Sequence, residues 1–418
     1  MTDLLNSFSK SVQNFNQYHK NTIPLCAAEN VVSDFCKLPL GAGFQERYIM
    51  GSAYEYTIDG NFVGSEFLLP FYKMLDAQCN VVFKSHYSDV RTLTGMNCLT
   101  TILMSISKPG DSIMILSSNY GGHASVKGIC ERLSLNIYDA PYILENYDFD
   151  YDKMNQTIEI NNIQFVLLAP SDILFPFDLT KIKNDNVVIL YDASQLLGLI
   201  AADLNENPLP QMNNMIMFGG THKTLPGPAH GIALTNNEKL FKVIDAGINP
   251  KFLRNTQMHQ IICLLFCLIE AEHFGRPYQS NIIKTSNLLA SYLENFGFTI
   301  AKKNSVYSLT HQIFIECSAE EMETIYENAI KAGIALNTKK KALFHGGYGI
   351  RLGTQEIARY NWDDTAIMKI AEMISLLKYK KFDLQKVESL KKEMPEKRIG
   401  YTFSADIIER MRSTIFST

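Results

Sequence analysis

Lys223 lies in the stretch Met217-Phe-Gly-Gly-Thr-His-Lys-Thr-Leu-Pro-Gly-Pro-Ala-His-Gly231, directly after a short apolar run. A lysine held in a tight loop of Gly, Thr and Pro can be desolvated enough to lose its proton and attack an aldehyde, giving a Schiff base. Asp192, in Leu190-Tyr-Asp-Ala-Ser194, follows a similar run. A carboxylate there can keep a pyridine nitrogen protonated, so that the ring draws electrons. Leu93-Thr-Gly-Met-Asn97 opens a helix-like segment with small residues suited to hold a phosphate at a helix start. Phosphate loop, acid and lysine, in that order along the chain, point to pyridoxal 5'-phosphate.

These residues need a frame. Ser112–Leu116, Phe165–Ala169, Val187–Tyr191, Met215–Phe218 and Gly231–Thr235 are short, nearly continuous apolar runs. Runs of that length suit strands buried on both faces, and the segment 123–135 between two of them reads as a helix. The fold class is therefore α/β with a mostly parallel sheet. In such sheets ligands gather at the carboxyl ends of the strands, where Ala169-Pro-Ser-Asp172, Asp192-Ala-Ser-Gln195 and the Lys223 loop all fall. Farther along, Thr310–Glu316 reads as a strand and Ser318–Lys331 as a helix of a smaller domain. The expected division is a 1–45 N-terminal segment, a 46–270 large domain, a 271–378 small α+β domain and a 379–418 helical extension.

Composition narrows the setting. The 418 residues are 46% hydrophobic and 20% charged, with a net charge of -4, which suits a globular chain and gives no basic footprint for nucleic acid. The apolar run Ile261–Ile269 stops at Glu270, short of the roughly 20 residues a membrane crossing needs. The first twenty residues lack a signal-peptide pattern. The eight cysteines form no C-x-x-C pair, so neither a disulfide framework nor a metal site is expected. Asp148 to Glu159 has the ligand spacing of a calcium loop, but Lys153 stands where that loop needs glycine. A cytoplasmic enzyme working on small molecules is the expectation.

Seven motifs, in order, carry a family resemblance: Ala28-Glu-Asn30, Pro109-Gly-Asp111, Gly121-Gly-His123, Tyr191-Asp-Ala193, Gly198-Leu-Ile-Ala-Ala202, Thr221-His-Lys-Thr-Leu-Pro-Gly-Pro228 and Gly349-Ile-Arg-Leu-Gly-Thr354. The chain resembles the serine hydroxymethyltransferase group of pyridoxal-phosphate enzymes, of the aspartate-aminotransferase-like fold (fold type I). The resemblance implies that Lys223 carries the cofactor as an imine and that Asp192 binds its ring nitrogen. It implies that His123 stacks on the ring and that Ser171 lies near the phenolic oxygen. Thr94, Gly95 and Met96 would cradle the phosphate, and Gln195 and His222 would stand beside the cofactor. Arg351 would grip the substrate carboxylate as a bidentate pair. Glu46, the acid/base by position, and Tyr54 would enter from the other subunit of a homodimer with shared active sites.

Departures from the family pattern are as informative. Phe44 replaces a tyrosine, Gln195 a histidine and Ala229 an arginine, while the partner's Gly-Gly phosphate contact becomes Arg254-Asn255. Arg254 would then pair with the cofactor phosphate in place of backbone amides. Leucines that flank the pterin in the family fall at Ser118 and Ala124, and its Asn-Ser-Val-Pro loop becomes Asn337-Thr-Lys-Lys-Lys-Ala342. Losing these walls weakens a tetrahydrofolate site. The pattern is closer to threonine transaldolases and aldolases. It implies cleavage or formation of the Cα–Cβ bond of threonine, serine or another β-hydroxy amino acid through a glycine carbanion (a quinonoid), with an aldehyde as partner and no obligatory folate. A folate-dependent serine/glycine hydroxymethyltransferase, an aminotransferase or decarboxylase, and a non-catalytic cofactor-binding partner protein are the alternatives.

Overall fold

A computed structural model of the protein describes residues 2–57, 62–184 and 186–417. Seven strands form the main sheet: β1 (Tyr87–Asp89), β2 (Ser112–Ile115), β3 (Asn136–Asp139), β4 (Phe165–Leu168), β5 (Val188–Asp192), β6 (Met215–Gly220) and β7 (Gly231–Thr235). Their order is β1-β7-β6-β5-β4-β2-β3. β3, β2, β4, β5 and β6 run parallel, and β7 lies antiparallel between β6 and β1. Every residue of β4, β6 and β7 is buried, as strands covered on both faces must be. Helix α1 (Gly95–Ile106) lays Cys98, Leu99, Ile102 and Leu103 into a core shared with Ile113, Leu167, Leu190, Ile216 and Phe218. This is the α/β class expected from the apolar runs. The short strands β1 and β3 carry too few apolar residues to announce themselves.

The chain divides into two compact units, Met1–Ala27 with Asn281–Gly400, and Ala28–Ser280 with Tyr401–Thr418. That division differs from the four consecutive segments expected, because both chain ends pair with distant sequence. Ile23–Pro24 adds a parallel strand beside Ile334–Ala335 of the smaller unit. At the other end, Phe403 packs on Phe35, ring centroids 4.6 Å apart, and helix α4 (Ala405–Ile415) contacts the short helix Asp34–Lys37 of the larger unit.

The smaller unit carries a four-stranded antiparallel sheet, in the order β8 (Thr299–Ile300), β9 (Gln312–Glu316), β11 (Tyr348–Gly353) and β10 (Asn337–Lys340). Its helix Ala319–Ala332 starts at Ser318, whose side chain accepts a bond from the Glu321 amide, an ordinary N-cap.

Helix α3 (Met258–Asn295) runs well beyond the apolar stretch at Ile261–Ile269. By length and composition it could cross a membrane, yet 61% of its most apolar window is buried inside the protein. It also carries the buried polar residues Glu270 and Gln279.

Candidate functional site

Five loops of the larger unit meet at the carboxyl edge of its sheet, and the parallel strands bring them there. β5 ends at Asp192, which lies opposite Phe218 of β6. Asp192 is 6% exposed. Its Oδ1 accepts the Ser194 amide at 2.9 Å and the Ser194 hydroxyl at 2.5 Å. Ser194 Oγ in turn accepts the Gly220 amide at 2.7 Å. One serine therefore locks the carboxylate to the end of the strand that leads to Lys223. Both bonds fall on Oδ1, so Oδ2 has no hydrogen bond among the described residues.

The Lys223 loop is held from several sides. The Lys223 carbonyl accepts a bond from Asn30 Nδ2 at 2.5 Å. Thr224 donates its hydroxyl to the Gln195 carbonyl at 3.0 Å and accepts the Gly198 amide at 3.1 Å, while its carbonyl accepts Gln279 Nε2 at 2.7 Å. Gly198 is required here, since a Cβ would press into the Thr224 carbonyl. Thr221 closes the loop base, its hydroxyl donating to the Pro228 carbonyl at 2.6 Å.

Thr94 caps α1 by accepting the Asn97 amide at 3.1 Å. Gly95 brings the helix start against β6, where an added Cβ would lie 2.7 Å from the Gly220 amide nitrogen. The amides of Gly95 and Met96 lie in the first turn, where a helix has no internal partners for its N–H groups. His222 sits nearby, its ring next to Gly220. Burial, reinforced by the charge of Lys223, lowers its pKa. Its Nδ1 is buried with no hydrogen-bond partner among the described residues.

His123 and Ser171 stand in two loops, after β2 and after β4, that pair through an isolated antiparallel bridge between Gly122 and Pro170. The His123 amide donates to the Ala169 carbonyl at 2.9 Å, and the Ser171 and Asp172 amides donate to the Gly121 carbonyl at 2.8 and 3.0 Å. Contacts through Gly220, Ser194 and Thr224 thus tie the Thr94–Met96 helix start, Asp192, Gln195, His222 and the Lys223 loop to one another, and His123 and Ser171 stand in the loops that follow β2 and β4 of the same sheet.

Glu46, Tyr54 and Arg254 form a second group on a different pair of segments. Ile49 and Gly51 donate their amides to Asn255 and Asn249 at 3.2 and 3.3 Å, and Asp245 accepts the Ser52 hydroxyl and Ala53 amide at 2.7 and 2.8 Å. Glu46 and Arg254 are exposed. The Tyr54 hydroxyl bonds Glu238, and Lys242 Nζ lies 4.6 Å from its ring centroid. In the smaller unit, Arg351 on β11 is 4% exposed, and its Nη2 donates to Asn337 Oδ1 at 2.9 Å across the strand pair.

The sequence reading missed the supporting residues Asn30, Ser194, Thr224, Gln279 and Tyr278, whose hydroxyl accepts from Asn30 at 2.8 Å, as parts of the site. Asn30 stood in a quoted motif and Ser194 beside Asp192, so both had a signal. Gln279 had none, being 55 residues from its partner. As a set, a carboxylate with one oxygen unbonded, a tight helix start and an orphaned ring nitrogen beside a pinned lysine loop fit pyridoxal phosphate: a ring N–H, an anion and an aldehyde each find a matching group.

The fold is that of the type I pyridoxal-phosphate-dependent enzymes. The family model for serine hydroxymethyltransferase matches residues 5–374. A serine hydroxymethyltransferase from Methanocella arvoryzae is 28% identical over 90% of this chain and 91% of its own. One from Pyrobaculum aerophilum is 29% identical over 94% and 93%. Among solved structures, an L-threonine transaldolase from Pseudomonas fluorescens superposes with a TM-score of 0.91 at 22% identity, covering 100% of this chain and 97% of that one. The chain belongs to the serine hydroxymethyltransferase family, and it is a pyridoxal-phosphate-dependent enzyme of transferase type.

Proposed function

We propose that this enzyme makes or breaks the Cα–Cβ bond of a β-hydroxy amino acid, threonine or serine, with glycine and an aldehyde as the other partners and without obligatory folate. The observation that carries the folate-independent part is at the outlet of β2. Ser118 and Ala124, where the family places leucines against a pterin, are exposed small residues that offer no apolar wall. Asn337–Lys340, in place of the family's loop, is a regular edge strand, and Asn337 turns its amide oxygen to Arg351. The likeness of fold to a threonine transaldolase supports the same reading.

Bound pyridoxal phosphate supplies an aldehyde for a lysine and an electron-poor ring that accepts the electrons of a bond broken at the α-carbon. Lys223 offers its amine to that aldehyde. Asp192 accepts the ring N–H on Oδ2 and keeps the ring positively charged, its other oxygen being committed to Ser194. The Gly95 and Met96 amides and the Thr94 hydroxyl bind the phosphate at a helix start, where the dipole favours an anion. His123 covers a ring face, and Gln195 and His222 line the pocket. Ser171 orients the phenolic oxygen, and Arg351 binds the amino-acid carboxylate.

Glu46 and Tyr54 of the partner subunit complete the pocket of a homodimer. Glu46 takes the proton of the β-hydroxyl as the bond breaks. Arg254 of the partner subunit pairs with the phosphate. A cytoplasmic enzyme acting on an amino acid and an aldehyde follows from this reading.

The test adds threonine to the purified enzyme with pyridoxal phosphate and no tetrahydrofolate. Release of acetaldehyde is expected, with loss of the cofactor's lysine-dependent visible absorbance in Lys223→Ala. Turnover of serine that strictly requires tetrahydrofolate would instead make it a hydroxymethyltransferase, the activity named for its curated relatives.

A further inference from the structure

Asn30 connects the lysine to a part of the chain that the reaction leaves unexplained. Its Nδ2 donates to the Lys223 carbonyl at 2.5 Å and to the Tyr278 hydroxyl at 2.8 Å, and its Oδ1 accepts the Val31 amide at 2.8 Å. An amide nitrogen carries two hydrogens, so both are spent. Flipping the group would set its oxygen against the Lys223 carbonyl and its nitrogen against the Val31 amide, and the orientation is therefore fixed. A fixed Lys223 carbonyl fixes the backbone torsion next to the Lys223 α-carbon, and with it the direction in which the side chain leaves the loop.

Tyr278, the acceptor of the second bond, is 1% exposed. Its ring packs on Tyr401, centroids 5.6 Å apart. The segment continues with Phe403 against Phe35 and Phe274, at 4.6 and 5.1 Å. α4 then covers the short helix Asp34–Lys37 that follows the Asn30 turn. The C-terminal segment thus packs on Tyr278, which accepts the Asn30 bond, and on the short helix that follows Asn30 in the chain. All of these residues belong to the larger unit.

We propose that Asn30 is the positioning residue for Lys223, and that residues 401–417 steady it through Tyr278. The proposal rests on Lys223 being the cofactor lysine. Neither Asn30 nor the C-terminal segment touches the reacting atoms. Their effect is on where the amine stands, and a displacement of about 1 Å costs roughly 100-fold in rate.

The experiment prepares the full-length protein free of cofactor and follows its capture of pyridoxal phosphate by stopped-flow absorbance. It then measures the pH midpoint of the bound-cofactor absorbance and maps the borohydride-fixed peptide. Asn30→Ala is expected to slow capture by about 10- to 100-fold and to shift the pH midpoint. Tyr278→Phe keeps the ring packed on Tyr401 and removes the hydroxyl that accepts from Asn30, so it yields folded protein with a smaller shift in the same direction. A chain ending at Gly400 behaves like Tyr278→Phe or worse. Wild-type capture rate and pH midpoint in folded Asn30→Ala and Tyr278→Phe would overturn the proposal, as would lowered thermal stability with those two readouts unmoved. If borohydride fixes the cofactor elsewhere than Lys223 in the wild type, the underlying reading fails as well. Fixation at Lys223 with unchanged variants defeats the positioning role alone.

Discussion

Ser194 does two jobs with one hydroxyl: it donates to Asp192 and accepts from Gly220, so the acid and the strand that leads to the lysine cannot shift independently. Ser194→Ala leaves the buried Gly220 amide without its acceptor and one Asp192 bond unmade. The expected cost is about 1–3 kcal/mol of stability, seen as a lower urea midpoint, together with weaker pyridoxal phosphate binding in a titration. Arg254 acts at the same scale through charge. If its guanidinium meets the phosphate of the partner subunit's cofactor, Arg254→Ala should weaken cofactor binding by roughly 10-fold or more, the loss of a charge-assisted pair. An unchanged dissociation constant would return that phosphate wholly to the start of α1.

At the scale of elements, the loop between β6 and β7 ends on a titratable group. His230 is fully buried, its Nε2 against the Val90 carbonyl at 2.6 Å, and burial lowers its pKa from 6.5 to about 4. A histidine with a depressed folded pKa takes up its proton first in the unfolded chain. Stability is therefore unaffected above about pH 6.5 and falls as the pH drops from there towards 4. The loss is on the order of 2 kcal/mol by pH 4.5. Chemical denaturation across that range should show a steeper decline in the wild type than in His230→Gln.

Much of this element layer was legible in the sequence. The five apolar runs became β2, β4, β5, β6 and β7 within a residue or two, because strands buried on both faces must be apolar throughout. The placement of Asp192 and Lys223 at strand ends was legible for a related reason, since Asp192 closes β5 and Lys223 lies three residues past β6. The antiparallel placement of β7, the two-residue strand at Ile23–Pro24 and the return of the C-terminal segment were not legible. Each depends on a partner far away in sequence. The bond from Asn30 to Lys223, spanning 193 positions, is of the same kind: local pattern shows which residues are special but not what holds them.

The whole molecule raises a question that neither residues nor elements answer, namely how many chains build one site. Lys223, Asp192 and His123 gather at the sheet edge, while Glu46, Tyr54 and Arg254 gather on the pair of segments around 46–54 and 245–255. A symmetric dimer in which each chain lends its second group to the other's first would use both sets twice. That arrangement makes a quantitative prediction. Lys223→Ala and Glu46→Gln should each be inactive alone. Mixed and reassociated at equal amounts, half of the dimers are hybrids, and in each hybrid one site carries both substitutions while the other carries neither. Activity should return to about a quarter of the wild-type level. If Glu46 instead served the lysine of its own chain, every site in every dimer would contain one substitution, and mixing would restore nothing.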